Sequence, residues 1–339
     1  MKAKNAAINL PFQEIEHRLY GITRGLGFDE NTAHLIAHTH TQSSCDGIES
    51  HGLNRFPRFV EYVHQGYINP KARAELVTPF GSWERWDGHR GAGIPNADQA
   101  IRRAVELAKS KGMGGVALRN TNHWMRAGTY GWIAAEQNCM AICMTNTIPN
   151  LPPWGGQTPT IGNNPLVIAV PRDQGPIVLD MATSQFSYGK MEDSQRNGKQ
   201  LPFPGGWDQH GELTKDPGAI LDGGLVLPAG YWKGSGLSIV MDLMVSLLAD
   251  GQASHEIGQK KYETGLSQLF LCIDMDQAGT GSAYQNAADT IIDHIHATGR
   301  GDEAVYYPGE RTLQRRKENM KNGIPVDVEI WDEIDGMRY

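Results

Sequence analysis

Ala108-Lys109-Ser110-Lys111-Gly112-Met113-Gly114-Gly115-Val116-Ala117-Leu118 is the stretch on which the fold turns. Its three closely spaced glycines invite a nucleotide-loop reading. Upstream, Ala100, Ile101, Ala104, Leu107 and Ala108 share one helical face, with Asn96 and Gln99 spaced as a capping box at its start. Downstream, residues 115–118 begin an apolar run of strand character. The glycines therefore follow a helix and precede a strand, the reverse of the strand–loop–helix order of a Rossmann phosphate site. They predict a helix C-cap and a tight turn into a strand. A dinucleotide, if bound, must sit on another scaffold.

Working outward, short apolar and β-branched runs recur at 140–145, 166–170, 177–179 and 268–273, interleaved with helical stretches at 127–137 and 237–249. An α/β core follows. Residues 12–67 alternate helical stretches with glycine stops and predict a helical N-terminal region. Residues 193–228 are rich in Gly, Pro, Asp and Asn and read as a long surface excursion of the kind that is functional or mobile. The tail turns at Gly309-Glu310-Arg311 into an exposed charged helix.

The chain of 339 residues, 40% hydrophobic and 20% charged, has the balance of a globular protein with one large or two associated domains. Its net charge of -7 disfavours nucleic acid and anionic membranes as partners. No signal-peptide core is seen, and no stretch approaches the ~20 apolar residues of a membrane span. A cytoplasmic protein is expected. Cys139, Cys143 and Cys272 fall in apolar runs, and Cys45 has no adjacent basic residue, so all four are expected to be reduced and inert.

His34 and His38 have the spacing of two metal ligands on one helical face, but no Glu stands between them and no third ligand follows, so no metal is expected. His294 and His296 point to different faces. Gly230-Tyr231-Trp232-Lys233-Gly234-Ser235-Gly236 leads into an apolar helix and offers a phosphate site at a helix N-terminus, or else Ser235 as a plain cap. In Glu49-Ser50-His51-Gly52-Leu53-Asn54-Arg55, a histidine suited to protonate a developing alkoxide lies four residues before an arginine whose fork matches a carboxylate. That pair suits a keto acid; capping and a surface ion pair are the alternative. Asn120-Thr121-Asn122-His123 ends a strand where α/β proteins place ligand contacts, and Asp180 ends another. Asp180 could orient an imidazolium or cap a helix.

Residues 50–59 (SHGLNRFPRF), 118–132 (LRNTNHWMRAGTYGW), 152–156 (PPWGG), 162–165 (GNNP), 230–242 (GYWKGSGLSIVMD) and 308–310 (PGE) together resemble the malate/L-lactate dehydrogenase family, which is distinct from the Rossmann dehydrogenases. The resemblance spans nearly the whole chain. It implies a homodimer and a non-Rossmann mixed-sheet cofactor core over 79–284. The helical region 1–78 would be joined by 285–339. It also implies NADH-linked reduction of a small 2-keto acid, with 2,3-diketo-L-gulonate ahead of malate, lactate, sulfolactate or ureidoglycolate chemistry on the same scaffold. By motif position His51 is the proton donor and Asp180 its support, while Ser50, Arg55 and His123 hold the substrate. The cofactor would contact Pro176, Ile177, Val178, Leu179, Asp180, Met181, Ala182, Trp232, Lys233, Gly309, Glu310 and Arg311. Two features depart from the family pattern: Arg311 after Glu310, and one extra residue in 171–176. Glu310 favours NADH by meeting a free ribose hydroxyl pair, whereas Arg311 keeps NADPH as an alternative. A fold-retaining binding protein without chemistry is the rival of a different class, and a hydrolase using His34 and His38 a third.

Overall fold

The computed structural model describes residues 7–279, 281, 283–299 and 304–338. Strand β1 (Ala7–Leu10) leads into helix α1 (Phe12–Gly25), whose Phe12, Ile15, Leu19 and Ile22 recur at helical spacing and are buried. Helix α2 (Glu30–Cys45) starts where the Asp29 carboxylate accepts the Thr32 N–H at 2.9 Å. Two 3-10 turns, Glu49–His51 and Leu53–Arg55, then feed α3 (Phe56–His64), which has Pro57 in its first turn.

The α/β part comprises β2 (Glu75–Phe80), β3 (Trp83–Asp87), α4 (Gly93–Lys111), β4 (Met113–Thr121), α5 (Gly128–Ala135), β5 (Cys139–Thr145), β6 (Leu166–Val170) and β7 (Ile177–Met181). A subsidiary unit follows, with α6 (Tyr188–Arg196), β8 (Gly206–Trp207), β9 (Leu213–Thr214), α7 (Pro217–Leu221) and β10 (Leu225–Val226). The chain continues through α8 (Trp232–Ala249), α9 (Ser254–Gly258), β11 (Leu266–Asp274), α10 (Ala283–His296), α11 (Glu310–Asn322), β12 (Ile324–Asp327) and α12 (Val328–Asp335).

The main sheet runs β2-β3-β4-β11-β5-β6-β7, with β3 and β4 parallel and every other neighbouring pair antiparallel. It is a mixed sheet, not a doubly wound parallel one. Gly112, at φ +84°, caps α4 as the sequence predicts, and an added Cβ at Gly114 would collide with Leu107 and the Ala104 carbonyl. The glycine cluster thus lets β4 lie against α4 and has no phosphate to bind. Between α4 and the sheet lies a core that includes Ile101, Val116, Trp124, Tyr130 and Phe270. A second core joins α1–α3 to Ile324, Val326 and Ile334 near the C-terminus, and β12 pairs with β1.

Three expectations change. Helix α4 begins at Gly93, so Asn96 is no cap; its side-chain amide donates to Gly88 O at 3.1 Å and Thr121 Oγ1 at 3.0 Å from inside the helix. The surface excursion 193–228 is ordered around Leu151, Met191, Leu201, Ile220 and Val226. Helix α8 starts at Trp232, five residues early, because Gly234 packs on Ala229 and the Thr183 carbonyl where no Cβ fits. The glycine–lysine stretch is its first turn, and Ser235 accepts the Trp154 N–H at 2.9 Å instead of capping. With a mean hydropathy of 1.2 over 18 residues, α8 comes nearer to a membrane span than the sequence reading allowed. It lays Met241, Val245 and Ala249 on the sheet and leaves Leu237, Val240, Leu243, Met244 and Leu247 exposed. All four cysteines are free and buried, and burial pushes their thiols up, those of Cys45 and Cys139 to about 11.

Candidate active site

His51 ends a 3-10 turn that is bolted to α2. Ser44 Oγ accepts the Leu53 N–H at 2.9 Å, His40 Nδ1 lies 3.0 Å from Gly52 O, and an added Cβ at Gly52 would collide with Ser44. Only glycine lets the turn lie this close to the helix. The Ser50 hydroxyl meets His51 Nδ1 at 3.0 Å, which leaves Nε2 as the nitrogen free to face a ligand.

His123 comes to the same place from the end of β4. The chain there runs through left-handed Asn120 and Met125, at φ +52° and +63°, a backbone cost that side chains this large meet only where the surroundings enforce it. His123 Nδ1 accepts the Met125 N–H at 2.9 Å, so the neutral ring carries its proton on Nε2. The rings of His51 and His123 stack with centroids 5.7 Å apart.

Arg55 and His123 line one small cavity of about 20 Å³ with Arg58, Asn122 and Glu263, room for a single water. Arg55 is half-buried and its guanidinium has no hydrogen-bond or ion-pair partner among the described residues. Burial, then Arg55, Arg126 and His40, push His51 down to about 4. Burial, then Arg55, His51, Arg58 and His40, hold His123 well below the usual histidine range. The result is two neutral imidazoles in a positive field, which asks for an anion.

Asp180 shares no hydrogen bond with His51. Its side chain, on β7, accepts the Gly128 N–H at 2.8 Å and so caps α5, while burial raises its pKa against the opposing pull of Arg126. Asp180 is nonetheless accessible to solvent, at the edge of the main sheet. The expected direct support of the imidazole is therefore absent here, and Arg126 lies electrostatically between the two groups.

The remaining expected cofactor residues gather along β7. Val178 donates to Pro308 O at 2.9 Å, so by strand alternation the backbone groups of Asp180 also face the sheet's open edge. Gly309, at φ +97°, starts α11 where an added Cβ would meet Val178 N at 3.2 Å. At the other end of β7, Thr183 O accepts the Ala229 N–H at 2.7 Å just before α8, whose first residues Trp232 and Lys233 are exposed. The buried hydroxyls of Thr183 and Ser184 have no partner among the described residues. An open strand edge, two helix starts and two orphaned hydroxyls fit an extended polar cofactor. Glu310 is already engaged, accepting the Tyr307 N–H at 3.0 Å and meeting His296 Nε2 at 3.0 Å, and Arg311 stacks on Tyr306 at 4.3 Å. His34 stacks on Tyr20 and His38 pairs with Glu16, so both have structural partners.

The family model for malate/L-lactate dehydrogenase matches residues 10–335. This chain belongs to that family. A 2,3-diketo-L-gulonate reductase of Citrobacter koseri is 41% identical over 334 residues, covering 97% of this chain and all of that relative. Among solved structures, malate dehydrogenase from Entamoeba histolytica superposes with a TM-score of 0.91 at 25% identity, covering 97% of this chain and 96% of that one. Sulfolactate dehydrogenase from Methanocaldococcus jannaschii does so with 0.88 at 26%, covering 96% and 95%. The family member described here is accordingly an oxidoreductase of the 2-keto/2-hydroxy acid class, for which the family implies a nicotinamide cofactor.

Sequence reading missed four contributing residues. Glu263 hides in a polar loop with no motif. His40 gave no signal separate from its helix neighbours. Asp46 and Arg316, 270 residues apart, meet only in three dimensions.

Proposed function

We propose that the chain reduces a polyhydroxylated 2-keto acid, 2,3-diketo-L-gulonate first among them, with NADH. The observation that carries this is the unpartnered Arg55 guanidinium beside the stacked His51 and His123. Arg55 would take the substrate carboxylate, with Ser50 and His123 flanking the keto end. The bound nicotinamide would supply the hydride. His51 gives its proton to the keto oxygen from Nε2, steadied by Ser50 at Nδ1. Burial first, and then the Arg55 charge, holds His51 unprotonated; a substrate carboxylate on Arg55 would offset the second of these and so favour the imidazolium where the substrate is. Asp180 acts at one remove, through Gly128 and the field of Arg126. Residues 176–182, with Trp232, Lys233 and 309–311, would hold the cofactor along the β7 edge.

NADH is proposed over NADPH because Glu310 sets negative charge at the start of α11 and Arg311 is committed to Tyr306. A homodimer is proposed because the exposed apolar stripe of α8 is wide enough to call for a cover. Four buried thiols with raised pKa suit a reducing cytoplasm. The test is an NADH-oxidation screen over 2,3-diketo-L-gulonate, pyruvate and oxaloacetate, repeated with NADPH. Turnover of 2-keto acids with NADH is expected; no turnover of any would sink the reading, and greater efficiency with NADPH would overturn the cofactor choice.

A further inference from the structure

Glu263 lies in the cavity wall beside Arg55, Arg58, Asn122 and His123. One carboxylate oxygen accepts the Ile148 N–H at 3.1 Å, and the other has no hydrogen-bond partner among the described residues. Protein this close raises its pKa, against the pull of Arg55 and Arg58. Yet Glu263 forms no ion pair with either arginine. Elsewhere the protein closes such pairs when it buries them: Arg103 meets Glu84 at 2.7 Å and Arg316 meets Asp46 at 2.7 Å. Glu263 is partly buried; holding a partly desolvated carboxylate short of two cations has a cost, and a purely structural pair would close to contact.

The gap is also built. Tyr262 stacks on Tyr67 with centroids 4.1 Å apart, and Gly265 donates to Thr121 O at 2.9 Å. Gly265 itself takes φ +75°, which lets the chain turn sharply into β11. The loop is thus pinned on both sides of Glu263, and the carboxylate is fixed where it stands.

Resting on the proposed reduction of a 2-keto acid, we infer that Glu263 determines specificity, accepting a hydroxyl of the substrate's distal chain and repelling a second carboxylate there. With the substrate carboxylate on Arg55, one charge of each sign is satisfied. The entering substrate would have to widen this one-water cavity, and the free oxygen of Glu263, in its wall, then meets the part of the substrate beyond the carboxylate. A hydroxylated chain donates to it; an alkyl group leaves it unpaired; an anion clashes with it. The site would take sugar-like 2-keto acids and reject dicarboxylic ones.

The experiment compares kcat/KM for 2,3-diketo-L-gulonate and for oxaloacetate, each divided by that for pyruvate, in the full-length protein and in Glu263→Gln and Glu263→Asp. Glu263→Gln keeps an acceptor for Ile148 but loses the charge. It is expected to lower the diketogulonate ratio by about 10- to 100-fold and raise the oxaloacetate ratio by at least about 10-fold. Glu263→Asp withdraws the carboxylate by one methylene, and should lose the first preference while keeping the second. Thermal unfolding of each variant checks that it is folded, and either variant alone suffices for the ratios. Unchanged ratios in a folded variant, with the parent active on 2-keto acids, would overturn the inference and leave the proposed function standing. A parent inactive on all three acids would remove both.

Discussion

Two clusters of charge lie on either side of the α2 C-terminus, and they are built to opposite rules. In the first, the fully buried Asp46 carboxylate receives Arg316 at 2.7 and 2.9 Å and Arg126 on its second oxygen, while Arg316 also lies over Trp132 at 5.0 Å. These pairings lower the Asp46 pKa despite burial. In the second, Arg55, His123 and Glu263 line one cavity with His51 stacked on His123, and Arg55 and Glu263 stay apart. The closed cluster ties α2, the loop before α5 and α11 together; the open one is held ready by that framework. Satisfied charge serves architecture, and the charge left unsatisfied is what we propose a ligand completes.

The sharpest way to break the contrast is at the open cluster. His51→Asn should fold and bind NADH but lose about 100- to 10,000-fold in turnover, as expected for a general acid. Stopped-flow or steady-state NADH oxidation measures this, and turnover near the parent value would take His51 out of the chemistry. At the closed cluster, Asp46→Asn should cost about 3 kcal/mol of stability by leaving Arg126 and Arg316 without their anion. Denaturant unfolding reads it; a loss under about 1 kcal/mol would show the cluster to be ornamental.

His40 links the two regions and titrates with folding. It is fully buried between Phe56 and Phe59, and burial pushes it down to about 4 from an ordinary 6.5. Between those values the unfolded chain binds the proton and the folded one does not, so stability falls as pH drops from about 6.5 to about 4. The loss reaches about 3 kcal/mol for this one group. Melting curves across that range should show it, and His40→Phe should flatten the slope; an equally steep slope in that variant would place the dependence elsewhere. The smallest effect is expected from Arg55→Met, which should weaken capture of 2-keto acids by about 10- to 100-fold in kcat/KM, the worth of a charge-assisted bond. Equal efficiency before and after the change would mean that the carboxylate binds elsewhere.

Much of the scaffold was legible because local chemistry and final structure agree. The runs at 166–170 and 177–179 became adjacent strands, and the helix-to-strand order at Gly112 ruled out the Rossmann arrangement. The insertion of β11 between β4 and β5 was not legible, since it is settled by a pairing more than a hundred residues distant in sequence. Glycine misled at the start of α8, where propensity argues against a helix and close approach to Thr183 overrides it. In the site, His51 and Arg55 could be found because chain neighbours bring them together. Glu263 could not, because its meaning comes from what it fails to touch.

The pairing of β1 with β12 has a consequence for biosynthesis. The core beneath the His51 turn takes Ile324, Val326 and Ile334 from the far end of the chain. At ribosomal speeds, roughly ten to sixty seconds separate synthesis of α3 from synthesis of those partners. Helices α1–α3, once made, must therefore wait with an unfinished apolar face until β12 and α12 arrive. A segment made early is thus completed late, and nascent chains stalled before β12 would present that face to chaperones.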